Sequence, residues 1–179
     1  MSQEKHLMLD IECLSTDNNA IITNIGYAIF KPGKKEISDS GNIYLDIREQ
    51  CELGRTVSPR TLDFWFNQDR ETQRQVASSD RVSLDEALAE FSIKCVGITK
   101  AWAKSTNFDM TILESLYKDM GIDWPIHYSK YTDVRSFYWL SKYYKIQHKP
   151  QLNKHDAEHD AVFQANVLMG VLEHIEGRG

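Results

Sequence analysis

Three β-type runs fill the first 47 residues, with only short polar segments between them. "HLMLDIECL" (6–14), "AIITNIGYAIFK" (20–31) and "GNIYLDI" (41–47) are dense in Ile, Leu and other strand formers. Their links, "STDNN" and "PGKKEISDS", leave no room for the dozen or more residues of a parallel crossover. The run therefore predicts an antiparallel three-strand meander. Beyond residue 58 the pattern changes. "SPRTLDFWFNQ" opens with Ser58 and Pro59, an N-cap and first-turn pair. "SLDEALAEF" opens with the capping-box spacing Ser83–Glu86. "KAWAK" (100–104) reads as a short strand, and "FDMTILESLYKDMG" as a helix stopped by Gly121. "TDVRSFYWLSKYY" reads as a helix after a short extended start. A last helix spans about Asp156 to Ile175, with a stripe of Ala161, Ala165, Leu168, Leu172 and Ile175 at steps of three and four. A meander followed by alternating helices and strands predicts an α/β chain, a mixed sheet flanked by helices.

At 179 residues, 41 % of them hydrophobic, the chain is sized for a single domain over 1–179 with its own core. No apolar run reaches the roughly 20 residues of a membrane span. The start, "MSQEKHLMLD", lacks the basic and apolar regions of a signal peptide. Cys13, Cys51 and Cys95 form no CxxC, and their odd number argues against a disulfide framework, so a reducing, cytoplasmic setting is expected. The net charge of −5 does not advertise nucleic-acid binding. It is equally the count expected of an enzyme that gathers carboxylates around cations.

In "LDIEC", Asp10 and Glu12 alternate with Leu9, Ile11 and Cys13. Period-2 alternation puts both acids on one face of a strand whose other face is apolar. Two acids there repel each other and resist desolvation, a penalty that a hard divalent cation would relieve. The same Asp-x-Glu spacing at Asp69–Glu71 and Asp156–Glu158 lies in polar helical contexts and reads as solvated face. Asp109, after a strand and at the start of a helix, has an ordinary explanation in the helix dipole, with Thr106 or Asn107 as the cap. In "HDAEHDA" (155–161), Asp156 and Asp160 lie one turn apart, as do His155 and His159. Asp160 adjoins the apolar stripe at Ala161, whereas Asp156 and Glu158 suit a first turn. A zinc site lacks a third ligand in this stretch.

Together these segments resemble the DEDDh 3′–5′ exonucleases of the ribonuclease H-like fold. The matching residues are Asp10 and Glu12, then Asp109, then His155 with Asp160 five residues on. "TLDFWFNQ", "AWAKSTNFD" and "TDVRSF" are similar to the small bacterial and phage exoribonuclease branch, and the likeness covers about residues 6–175. The resemblance implies a ribonuclease H-like mixed sheet and two divalent cations, Mg²⁺ or Mn²⁺, held by Asp10, Glu12, Asp109 and Asp160. It implies His155 as the general base, swung in from a loop, with Asp156 and His159 left as surface groups of the first turn. An unperturbed imidazole pKa of about 6.5 suits that task. "DIECLST" lacks the Glu-Thr that many relatives carry after the second acid, so Leu14 or Ser15 would meet the terminal sugar. Asn107 and Phe108 would border the terminal nucleotide. The implied partner is a single-stranded or 3′-overhanging nucleic acid, RNA slightly before DNA, with a homodimer as the assembly the branch suggests.

From Ser136 to Lys154 there is no acidic residue. Lys142, Lys145, Lys149 and Lys154 interleave with Tyr138, Trp139, Tyr143 and Tyr144, a composition suited to single strands. Trp139 and Tyr143 are also at helical spacing and could serve a core. Trp65 and Trp102 read as core or wall residues. Competing readings are a nucleic-acid-binding module without catalysis, a ribonuclease H-like endonuclease, and a structural protein with incidental acids.

Overall fold

The computed structural model describes residues 4–78, 80–151 and 155–177. Five strands form one mixed sheet in the order β3-β2-β1-β4-β5: β1 Lys5–Cys13, β2 Ile22–Lys31, β3 Glu36–Tyr44, β4 Ile98–Ala103 and β5 Tyr131–Asp133. The first three strands are the expected antiparallel meander, while β4 joins β1, and β5 joins β4, in parallel. The described residues form seven α-helices: α1 Ile47–Glu52, α2 Pro59–Phe66, α3 Arg70–Val76, α4 Leu84–Lys94, α5 Asp109–Asp119, α6 Arg135–Tyr143 and α7 Ala157–Ile175. None is long and apolar enough to cross a membrane.

The sheet is covered on both faces. Leu7, Leu9, Ile11 and Cys13 of β1 pack with Leu88 and Phe91 of α4 and Leu113 and Leu116 of α5. Met8, one register position out of phase, packs on the opposite face with Phe30, Trp102, Ala161, Ala165 and Leu168. Asp10 and Glu12 share the parity of Met8, so the alternation in "LDIEC" turns both acids toward α7. A third cluster joins Leu14, Ile21 and Trp65 beneath α2.

Several expected boundaries shift. The third strand starts at Glu36, not residue 41, and stops at Tyr44, so most of the segment read as a link is strand. β3 is an outer strand of the sheet, and its half-wet, polar sequence "EISDSGNIY" hides the alternation. Ile47 belongs to α1, which begins where the Asp46 carboxylate accepts the Glu49 N–H. α3, capped by Asp69, agrees with the polar helical context read around Asp69–Glu71, though "RETQRQV" has no apolar stripe that would mark its bounds. Ser83 caps α4 through the Glu86 N–H as its spacing predicts, whereas Ser58 precedes α2 without a side-chain cap bond. The α7 stripe is buried at Ala161, Ala165 and Leu168 and fades to an exposed Ile175.

Candidate active site

β1 and β4 run parallel, so their C-terminal ends open at the same edge of the sheet, the usual place for a site in such a fold. Asp10 and Glu12 come from the end of β1. Asp109 comes from the first turn of α5, just past β4. Asp160 comes from the first turn of α7, and His155 from the residues before it. All five line one cleft of about 380 Å³, together with Ile11, Lys104, Ser105, Phe108 and Arg135. Glu12, His155 and Asp160 each bring a ligand atom within 4.8 Å of the others.

Electrostatics place this cleft under stress. Burial, and then the charges of Asp109, Glu12 and Asp160, push the Asp10 carboxyl well above its ordinary range. Burial, and then Asp160 and Asp109, do the same to Glu12. Burial lifts Asp109 to about 7, although its carboxylate accepts the Ile11 and Ser105 N–H groups at 3.4 and 3.3 Å. Burial also raises Asp160, against the opposing effect of His155. Carboxyls held in a shared, poorly solvated cleft are disfavoured as anions unless a cation joins them. An oxygen-rich set of this kind fits Mg²⁺ or Mn²⁺, with Asp10, Glu12, Asp109 and Asp160 as the residues that would hold them.

α7 is anchored so that its first turn stays over the sheet. Gly26 of β2 is the register partner of Asp10. A Cβ built on it would lie 1.9 Å from the carbonyl carbon of Ala157, so only glycine admits the helix at this height. Asp156 is not the surface group expected from its place in a polar turn. It is buried, caps α7 through the His159 N–H, and accepts Asn42 Nδ2 at 3.1 Å and Gln75 Nε2 at 2.7 Å. Asn42 in turn accepts the Glu158 N–H and Asn24 Nδ2, tying β2 and β3 to the helix start. His159 is exposed, as expected, beside Asp156. One turn beyond Asp160, Gln164 donates to Asp10 Oδ1 at 2.7 Å. Gln151 donates to Asp160 Oδ1. Gly26, Asn42, Gln75 and Gln164 escaped the sequence reading because nothing local marks them; their importance comes from what lies across the sheet.

His155 has φ +65°, in the left-handed region. Its ring meets Phe64 and Trp65 edge-on, at centroid distances of 5.1 and 6.0 Å. Those two aromatics wall a neighbouring pocket of about 440 Å³ that shares Ile11, Glu12 and Phe108 with the carboxylate cleft. Ser15 and Arg60 also line it. Of the two candidates for the terminal sugar, Ser15 is on this wall, while Leu14 packs away from it against Ile21 and Trp65. Asn107 is exposed on the turn before α5 and lines neither cavity.

Lys142 and Lys145 are exposed and lie outside the cleft, along a groove of about 420 Å³ with Tyr138 and His148. Lys149 borders a smaller recess with Gln151 and His159. Lys154 falls outside the described residues. Trp139 and Tyr143 are not core residues: they are 63 % and 66 % exposed. Trp65 and Trp102 are buried, as expected. Lys104 and Arg135, the cations on the cleft rim, were not singled out by sequence. Lys104 directly follows β4 and Arg135 comes two residues after β5, and those positions at strand ends are the signal that points to them.

Known proteins are similar to this chain in sequence or in fold. The exodeoxyribonuclease of Enterobacteria phage T4 is 25 % identical over 127 residues, a stretch that is 63 % of this chain and 56 % of that relative. The nuclease domain of 3′hExo, a DEDDh family member solved with rAMP, superposes with a TM-score of 0.63 at 14 % identity, covering 96 % of this chain and 92 % of that one. The zinc-bound E. coli ExoI–ssDNA complex superposes with a TM-score of 0.69 at 13 % identity, covering 99 % of this chain but 42 % of that one. The fold is therefore the ribonuclease H-like fold of DEDDh exonucleases. Residues 5–175 match the 3′–5′ exoribonuclease Rv2179c-like domain, and the chain belongs to that family.

Proposed function

We propose that the chain is a divalent-cation-dependent 3′–5′ exonuclease. It hydrolyses phosphodiester bonds from a free 3′ end of single-stranded or 3′-overhanging nucleic acid and releases 5′-mononucleotides, with RNA preferred to DNA. The observation that carries this reading is the meeting of Asp10, Glu12, Asp109, Asp160 and His155 in one cleft, next to an aromatic-walled pocket of nucleoside size. When bound, two Mg²⁺ or Mn²⁺ ions supply charge neutralisation and Lewis acidity at the scissile phosphate. The four carboxylates hold the cations. Phe64, Trp65 and Phe108 border the terminal nucleoside, and Ser15 faces its sugar. An imidazole nitrogen of His155 accepts the proton of the attacking water, from a ring steadied by Phe64 and Trp65. Lys104 and Arg135 on the rim, with Lys142, Lys145 and Lys149 beyond, meet phosphates of the substrate.

The name of the matching family supports RNA, while the T4 relative acts on DNA by name. Matched RNA and DNA strands, single-stranded or with 3′ overhangs, should be incubated with Mg²⁺, with Mn²⁺ or with EDTA and their products separated. Mononucleotides carrying a 5′-phosphate, formed only with a cation and faster from RNA, are expected. Faster release from DNA would reverse the substrate preference, and turnover in EDTA would refute the role given to the carboxylates.

A further inference from the structure

Helix α6 leaves the carboxylate cleft with an outer face that no described part of the chain covers. Arg135, its first residue, lines the cleft. One and two turns on, the exposed rings of Trp139 and Tyr143 stack on each other, 5.5 Å apart with planes 22° from parallel. Residues 135, 139 and 143 recur at the spacing that puts them on one helix face. The inner side of α6 completes the core without them, through Val134, Phe137 and Tyr138 against Trp102 and α7. Lone exposed aromatics are ordinary, but two ordered into a flat ladder are a surface with a use. Lys142, next to Tyr143 in the helix, and Lys145 border the adjoining groove on the Tyr138 side, and no acidic residue interrupts the sequence from Ser136 to Gln151. The face is thus aromatic, carries Lys142, and reaches the cleft at Arg135, whose guanidinium is held in place by the Asp133 carboxylate.

We propose that the outer face of α6 carries the substrate strand upstream of the scissile bond. The phosphate nearest the cleft meets Arg135, the next bases stack on Trp139 and Tyr143, and Lys142 and Lys145 meet the phosphates beyond. This rests on the exonuclease reading, which puts the 3′ end at the carboxylates. From Arg135 to Tyr143 the helix rises about 12 Å at 1.5 Å per residue, room for about three stacked nucleotides at 3.4 Å spacing. Base faces inside a duplex are already stacked, so the ladder selects an unpaired strand over those three positions. It also sets a substrate length: kcat/KM should climb most steeply from a dinucleotide to about a tetranucleotide, with a smaller gain from the lysine contacts beyond.

The test is the ratio of kcat/KM for an octanucleotide to that for a dinucleotide with the same 3′ end. In the Trp139→Ala/Tyr143→Ala double variant, this ratio should fall by roughly 5- to 150-fold for each stacked base lost. Tyr128→Ala, which removes an exposed aromatic outside the strip, should keep the wild-type ratio. A wild-type ratio in the double variant would overturn the proposal. A second measurement separates this inference from the exonuclease reading: anisotropy of a 5′-labelled octanucleotide in EDTA, where no hydrolysis is expected. The double variant should bind the single strand more weakly by the same factor, and a blunt duplex no differently from the wild type. Lys142→Gln/Lys145→Gln should flatten the salt dependence by about 0.7 per lost contact. Ladder-dependent binding of a strand that is never hydrolysed with Mg²⁺ would uphold this surface and refute the exonuclease reading. Equal binding by wild type and double variant would refute this surface while leaving that reading standing.

Discussion

The carboxylate cleft and the outer face of α6 meet at Arg135, yet they are built on opposite physical principles. The cleft collects like charges where water is scarce, and its geometry is over-determined by Gly26, the Asp156 cap and the Gln164–Asp10 bond. The α6 face leaves large aromatics and lysines in water and asks nothing of the core. Changes in the cleft should therefore abolish chemistry and can raise stability, because they relieve repulsion. Changes on the face should weaken binding and leave stability alone. The contrast shows where to look: groups held against their own solvation preference are the candidates for chemistry, and groups free in solvent are candidates for contact.

The largest expected effect sharpens this contrast. Asp10→Asn should remove turnover and leave the cation-free fold as stable as the wild type or more so, since it deletes one of four crowded charges. Mg²⁺ or Mn²⁺ should raise the melting temperature of the wild type by mass action and that of the variant much less. A variant that keeps near-normal turnover would refute the site.

Next come the two histidines of "HDAEHDA". His155→Ala should cut kcat by about 10²–10⁴ with little change in KM, as loss of a positioned base does. His159→Ala should leave kcat within a few-fold, because that ring is exposed at the edge of the cap. The two variants should melt alike. A silent His155→Ala beside a folded but inactive His159→Ala would invert the assignment.

These residues also mark how far the sequence could be read. The two acids of "LDIEC" were legible because strand alternation alone turns them to one face, whereas Asp109 and Asp160 were joined to them by the resemblance to DEDDh exonucleases, since an acid at a helix start is already explained by the dipole. The meander was legible from its short links. β3 was misread in length because an outer strand carries polar residues on both faces. Asp156 looked like a surface acid because its partners, Asn42 and Gln75, are 114 and 81 residues away in the chain. Trp139 and Tyr143 had two readings at helical spacing, and only the packing of Phe137 and Tyr138 against Trp102 and α7 decides which side of α6 faces inward.

A smaller effect is expected at Gly26. In Gly26→Ala the new methyl meets the Ala157 carbonyl, so the start of α7 must shift, carrying His155 and Asp160 with it. Overpacking of this kind costs about 1–3 kcal/mol. A displacement near 1 Å can cost about 100-fold in rate. Wild-type kcat with an unchanged melting temperature would contradict the anchoring role of this contact.

The smallest effect is a pH slope in EDTA. Asp109 has a folded value of about 7 against an ordinary 3.8, so the folded chain binds its proton more tightly than the unfolded chain. The stability that Asp109 contributes should then be fully present below about 4 and be lost as pH rises to about 7. Asp10, Glu12 and Asp160, also raised, act in the same direction. Saturating Mg²⁺ should flatten the slope, and a slope of opposite sign in EDTA would show that the cleft is not under charge stress.

If the exonuclease reading holds, this cleft removes nucleotides one at a time from a 3′ end. A single-stranded RNA labelled at its 5′ end, incubated with Mg²⁺ beside a circular RNA of the same sequence, tests it most directly. A labelled ladder that shortens progressively from the 3′ end, with the circle intact, is expected. Early internal fragments, or a circle cut as fast as the linear strand, would contradict it.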